Sequence, residues 1–557
     1  MGLSLYPSPI FNSIFLTDAR FPNPFGCFYF TALLISLPIL ALIGSWLEWN
    51  AASAQILSEL AQTVLPDYLL TSVLLCAGVA VGVTILGLST AAAVTLFKFP
   101  GQSFFELALL LPMAMPAYVV AYAYTDFFQF SGPLQTFIRS TWALEGRVFP
   151  EIRSLGGAIF VFSLTLYPYV YLLARTALSE RASHLMEAAR LLGAPLYRRI
   201  SEVALPLARP AVAAGVALAL METLADFGVS SYFGIQTFTA GVYKAWLIMD
   251  NRIAAAQLAT LLLVVVLILL QLEKQAQARM RFTSSNTNSA NSREAQPAEL
   301  SQLSGLFIAA WCGLLVFLGF VLPIMLMLKP LLMSETIIPW QRFLEWSYNS
   351  LSLGGITALL AVGFSLLIAF SLRNKADFFA RFVSQLVGLG YAIPGAVVVV
   401  GLLLPVTWIQ KQWPETHVGF WITASILGLV WAYLVRFCAV ALQSIQSGYA
   451  RIPHSLDDSA RTLGVTGLAL LSRVHAPLLK RSVFAAALLV FVDVMKELPA
   501  TLVLRPFNTD TLAVVAFQLA RDERLGEAAL PSLALVLVGL IPVLLLSRAM
   551  RQTNRAA

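Results

Sequence analysis

Charge is scarce in this sequence. Lysine, arginine, aspartate and glutamate together make up 12% of the 557 residues, about half the share found in a soluble domain. Histidine is scarcer still: His184, His417, His454 and His475 are scattered, with no pair at helical ligand spacing, so they define no metal centre. The four cysteines, Cys27, Cys76, Cys312 and Cys438, lie in or beside apolar runs without CxxC spacing. They read as small buried side chains rather than zinc ligands or disulfides. No GxxxxGK[ST] phosphate loop occurs, so the chain carries no ATPase of that kind. No clustered catalytic set is present either, which argues against an enzyme. The first residues lack a basic stretch and a cleavage site, so no removable signal peptide is expected.

Apolar residues fill the space that charge leaves. They make up 59% of the chain, in repeated runs of roughly 18 or more, the length that crosses a bilayer as a helix. The runs do not alternate polar with apolar, which excludes a membrane barrel. The sequence predicts an all-α integral membrane protein of about twelve transmembrane helices. The expected spans are 28–47, 69–96, 104–124, 156–173, 208–224, 254–272, 306–328, 351–372, 382–404, 420–442, 483–504 and 530–546. Residues 273–303 are polar and rich in Ser, Asn and Gln, and read as a flexible linker between halves 1–272 and 304–557. The net charge of +7 fits arginine-rich cytoplasmic loops in contact with lipid headgroups better than a nucleic-acid partner.

The two halves repeat each other. Glu187, Ala188, Ala189, Arg190, Gly193 and Pro206 recur 271 positions later as Asp458, Ser459, Ala460, Arg461, Gly464 and Pro477. Thr71-Ser72 matches Asn349-Ser350 at an offset of 278, and at that offset Pro116 pairs with Pro394. Six spans per half make these parallel repeats, with a pathway expected at their interface. Placing both repeated segments, 183–210 and 454–481, in the cytoplasm puts about 23 Lys and Arg inside and about 11 outside, as the positive-inside rule requires. Both termini are then cytoplasmic. Within each segment a short amphipathic helix is expected, broken at Gly193 or Gly464.

The pattern EAA, three residues, Gly, then Leu-Pro resembles the coupling loop of ATP-binding-cassette (ABC) importer permeases. With LADFGVSSYFGIQTFTAGVYKAW (Leu224–Trp246) and KELPATLVLRP (Lys496–Pro506), the chain resembles a fused double permease of the ferric-iron transporter family, a binding-protein-dependent (type I) importer. The second loop is degenerate, with Asp458-Ser459-Ala460 in place of EAA. The resemblance implies a bacterial inner-membrane protein that docks two cytoplasmic ATPase subunits and receives substrate from a periplasmic binding protein. It implies no cofactor on this chain, with ATP and Mg on the ATPase, and a translocating rather than an enzymatic role. Thiamine, phosphonate, sulfate and polyamine permeases share the loop. An ion-coupled secondary transporter is the alternative from another class.

Charge inside the spans marks a second constellation. Glu222 and Asp226 sit four apart, as do Asp493 and Glu497, and the 271 offset maps one pair onto the other. Four apart on a helix is one face, and Glu222 falls about 21 Å beyond Ala208. Carboxylates at that depth are expected to face a pathway or a partner, with Lys496 as a candidate partner. Pro116 and Pro394 are expected to kink the third and ninth spans as a hinge or a pathway-lining bend.

Overall fold

The computed structural model describes residues 24–47, 51–179, 183–249, 251–284, 298–333, 340–374 and 378–556. Helices dominate, as the apolar runs require: in hydrocarbon a helix satisfies its own backbone groups. Among the described residues nine helices are long and apolar enough to cross a membrane, or ten if the bent pair Gln102–Ala114 and Ala117–Trp142 is one span. Twelve were expected. The first expected span is helical over Pro24–Gly44, of which only the part from Leu33 enters this count. The eleventh, Ala476–Lys496, carries Lys480, Arg481, Asp493 and Lys496 and is more charged than a plain lipid-facing span.

The sequence repeat is also a repeat of structure. In the first half the chain runs through the helices Ser183–Leu191 and Leu196–Arg199, a π turn Ile200–Ala204, and the helix Leu205–Ala225. In the second it runs through His454–Thr462, Gly467–Leu470, a π turn Leu471–His475, and Ala476–Lys496. Every one of these boundaries is displaced by 271. The π turns have a local cause. Pro206 and Pro477 lack an N–H and crowd the preceding turn, which widens in response. The Ser72–Ser350 match also acquires a reason. Phe238 N–H donates to Ser72 Oγ at 3.0 Å, and Leu512 N–H donates to Ser350 Oγ at 2.9 Å. Each hydroxyl takes up a backbone donor at the start of the helix Phe238–Tyr243 or Leu512–Arg521.

The halves clasp each other. The opening helix, Pro24–Gly44, packs against Trp340–Asn374 and Gly395–Gln412 of the second half. Trp431 Nε1 donates to Leu34 O at 2.8 Å across this junction. Contact is close enough that a Cβ on Gly401 would stand 2.4 Å from Pro38 O, so only glycine fits there. Reciprocally, the helix at 302–332 packs on Ala117–Phe128 of the first half, where Tyr124 donates to Leu318 O, and Trp311 Nε1 reaches Ser89 Oγ at 3.3 Å.

The expected linker differs at both ends. The helix Arg252–Ser284 continues past residue 273, and Ala298–Glu299 pairs as a short parallel strand with Phe97–Lys98. Residues 285–297 lie outside the described residues.

Candidate functional site

Two places stand out, one at each end of the paired helices Leu205–Ala225 and Ala476–Lys496. The first is the exposed turn before each. Gly193 takes φ +77° and Gly464 φ +79°, the left-handed region where a Cβ is strained. Gly193 N–H donates to Arg190 O at 3.0 Å and Ala194 N–H to Ala189 O at 3.0 Å. Gly464 N–H and Val465 N–H repeat this with Arg461 O and Ala460 O at 3.0 and 2.9 Å. Both turns are thus Schellman caps, and the last alanine of each EAA position supplies a capped carbonyl. The caps leave Leu191, Leu192 and Tyr197 exposed in the first half and Leu463 in the second. Ala188 and Asp458 are exposed beside them, whereas Ala460 is buried. Glu187 lies in Ser183–Leu191, but its side chain is outside the described residues.

The two turns are anchored differently. Arg373 Nε donates to Asp457 Oδ2 at 2.6 Å, and Arg373 Nη2 donates to Asp457 Oδ1 at 3.2 Å. His475 Nε2 lies 2.9 Å from Asp457 Oδ1, and Tyr449 OH lies 3.1 Å from His475 Nδ1. At the matching positions the first half has buried Met186 and Ala204. One turn is therefore latched by charge, the other by apolar packing. Burial alone lifts the Asp457 carboxyl, but the hydrogen bonds and charge of Arg373 and His475 outweigh it and hold the group below the ordinary carboxylate range. A depressed folded-state pKa gives stability that is full above the unfolded value of about 3.9 and is lost as pH falls through the folded value. Hydrogen exchange across 454–475 is therefore expected to stay slow from neutral pH to about pH 4 and to quicken only in stronger acid. Exchange across 183–204 should show no matching step, and Asp457→Asn should remove the step in the second turn. A step near neutral pH would contradict this account.

The second place is a cavity of about 480 Å³ between the halves. Glu222, Asp226, Asp493, Glu497, Lys496 and Pro116 all line it. Pro394 does not, although the Gly395 beside it is so close to Glu497 that a Cβ would stand 2.6 Å from Oε1. The prolines do more than kink. Residues preceding a proline are driven extended: Met115 has ψ 127° and Ile393 ψ 125°. Each helix therefore stops in a 3₁₀ turn, Leu111–Ala114 or Gly390–Ala392, and restarts with Pro116 or Pro394 as N-cap. In the third span the two pieces meet at 90°.

The carboxylate pairs do not each share one helical face. Asp226 and Glu497 sit just past their helices in extended conformation, with ψ 132° and 121°. There each caps the next short helix. Val229 N–H donates to Asp226 Oδ1 at 2.8 Å, and Ala500 N–H donates to Glu497 Oε1 at 2.9 Å. The expected eleventh span accordingly ends at Lys496, and Pro499–Leu504 is a separate helix. Glu222 and Asp493 remain on their helices. Lys496, the expected partner, lies within electrostatic reach of Asp493 and Glu222, whereas Glu497 pairs with another cation. Arg436 Nη1 reaches Glu497 Oε1 at 3.0 Å, with both side chains almost buried. Arg436 went unnoticed in the sequence, although a lone arginine inside the apolar run 426–442 signals an interior partner. Tyr169 and Tyr391, also overlooked, line the same cavity.

Residues 83–281 match the family described as binding-protein-dependent transport system inner membrane component. The chain is 24% identical to Fe(3+)-transport system permease protein FbpB 2 of Haemophilus influenzae, over 86% of this chain and 90% of that protein. It is 22% identical to the probable ABC transporter permease protein y4fN of Sinorhizobium fredii, over 84% of each. It is 28% identical to the sulfate transport system permease protein CysT of Escherichia coli, over 36% of this chain and 69% of that one. Residues 83–281 thus carry the inner-membrane component of binding-protein-dependent transport systems, and the chain, with its duplicated helices and multi-pass membrane fold, resembles ABC transporter permeases over most of its length.

Proposed function

We infer that this permease is the translocating subunit of an ATP-driven importer for ferric iron. One observation carries the reading. The same helix that begins at each exposed turn ends in a carboxylate at the cavity. Seventeen residues separate Leu205 from Glu222, about 26 Å of helix, and Ala476 stands at the same separation from Asp493. A motor that grips the turns moves the cavity walls directly. Exposed Leu191, Leu192, Tyr197 and Leu463 supply the apolar surface for two ATPase subunits, which bring ATP and Mg. An external binding protein delivers the ion at the opposite face. Both termini lie in the cytoplasm of a bacterial inner membrane, and the segments 183–210 and 454–481 serve as coupling loops.

The reading of ferric iron is supported by the relative FbpB 2 and by the cavity's charge, with four acidic side chains against Arg436 and Lys496. A small oxyanion, as the sulfate relative carries, is the second reading, favoured by the unpartnered Arg436 Nε. Uptake into proteoliposomes holding the permease, its ATPase and its binding protein separates them. ATP-dependent accumulation of iron from ferric citrate, without accumulation of sulfate, is expected. Sulfate uptake, or iron uptake driven by an ion gradient without ATP, would overturn the proposal.

A further inference from the structure

The cavity holds more oxygen donors than helix capping uses. Asp226 and Glu497 are committed to backbone amides, and Glu497 also to Arg436. Glu222 and Asp493 have no such duty. Tyr169 and Tyr391 line the same cavity as these two carboxylates, within electrostatic reach of both. Independently, the Tyr118 hydroxyl is buried at 4% exposure, lines the same cavity and has no hydrogen-bond partner. A buried hydroxyl without a partner is costly, and it signals a group that arrives from outside the chain.

We propose that Glu222 and Asp493, with the hydroxyls of Tyr118, Tyr169 and Tyr391, form a transit site for a hard trivalent cation, and that the Lys496 ammonium is the tethered competitor that releases it. This rests on reading the cavity as the iron pathway. Carboxylate and phenol oxygens suit a hard ion. Among the described residues no three His, Cys, Asp or Glu side chains converge as a metal cluster. A conduit calls for loose ligation, because an ion must leave as readily as it enters. Lys496 lies on the same helix as Asp493, within electrostatic reach of both Asp493 and Glu222. Its arm rests against Gly539 of the last long helix: a Cβ there would meet Lys496 Nζ at 2.8 Å. When the cation enters, the ammonium gives up the two carboxylates. When the helices move, the ammonium returns and the cation is expelled. The arrangement is one-sided, because the repeat places Ala225 where the second half has Lys496 and Thr165 where it has Arg436. Both cations of the cavity therefore come from the second half.

The test uses the complete complex with ferric citrate, and gallium citrate as a redox-inert trivalent probe. Glu222→Gln combined with Asp493→Asn is expected to lower uptake of both ions about tenfold. Lys496→Met is expected to raise the gallium retained by the purified complex and to slow its release about tenfold. Glu222→Asp and Lys496→Arg, which keep charge, guard against misfolding and are expected to transport better than the neutral variants. Wild-type uptake by the double variant, or unchanged gallium retention in Lys496→Met, would overturn the site. A wild-type complex that carries sulfate and no iron would instead overturn the functional reading beneath it.

Discussion

Replacing Arg436 by Met is expected to destabilise the protein by about 3–5 kcal/mol, the usual cost of leaving a buried charge without its partner. Glu497 is the charge left behind. Its side chain is 1% exposed and its Oε1 lies 3.0 Å from Arg436 Nη1. It cannot turn to solvent, because Ala500 N–H, Thr501 N–H and Thr501 Oγ1 hold it at 2.9, 3.0 and 2.7 Å. The double replacement Arg436→Met with Glu497→Gln should recover part of the loss, since the amide oxygen still accepts from the backbone and no charge remains. Recovery will be incomplete, because the amide NH₂ then faces donors. Thermal unfolding of the four proteins in detergent gives the coupling directly. A single variant as stable as the parent would mean that water already compensates Glu497.

The other large effect is expected at the exposed turns. Leu191→Asp with Leu192→Asp should abolish co-purification of the ATPase. Burying one leucine is worth about 1.5–3 kcal/mol, so losing two removes a hundredfold or more in affinity. Leu463→Asp should weaken association less, since the repeat places Thr462 where the first half has Leu191. Gly193→Val should act through the backbone, at a cost of about 1–2 kcal/mol for the left-handed turn. Nothing lies within 4 Å of a Cβ at Gly193 to clash with it. Gly193→Asn, which tolerates that conformation, should therefore bind the ATPase better than Gly193→Val. Equal losses from the leucine pair and from Leu463 would show that the two turns are gripped alike, against the difference drawn here.

Much of this was legible because duplication turns weak signals into repeated ones. The offset of 271 placed Gly193 and Gly464 correctly as the ends of two helices, and it aligned Glu222 with Asp493 at one cavity. The span count was less legible. Hydropathy registers a run of apolar residues and is blind to the backbone path: Pro116 announces a kink in the third span but not its 90° angle, and nothing announces the break at Glu497. The latter depends on which amides the Glu497 carboxylate meets. Arg436 was missed for a related reason: its partner lies 61 residues away, and no helical period joins them. Tyr169 and Tyr391 carry no local mark either, since tyrosines in apolar runs are as often membrane-interface residues. Nor does any sequence pattern tell which half the helix Pro24–Gly44 will pack against.

That last arrangement has a consequence for biogenesis. Because the opening helix Pro24–Gly44 is seated on the second half, the first half cannot complete its packing until the second has been made. The residues Trp340–Asn374 must exist before Pro24–Gly44 finds its seat. Expressed as two polypeptides severed between Ser284 and Ala298, the pieces should interlock only when synthesised side by side in one cell, and should fail to join once each has settled alone.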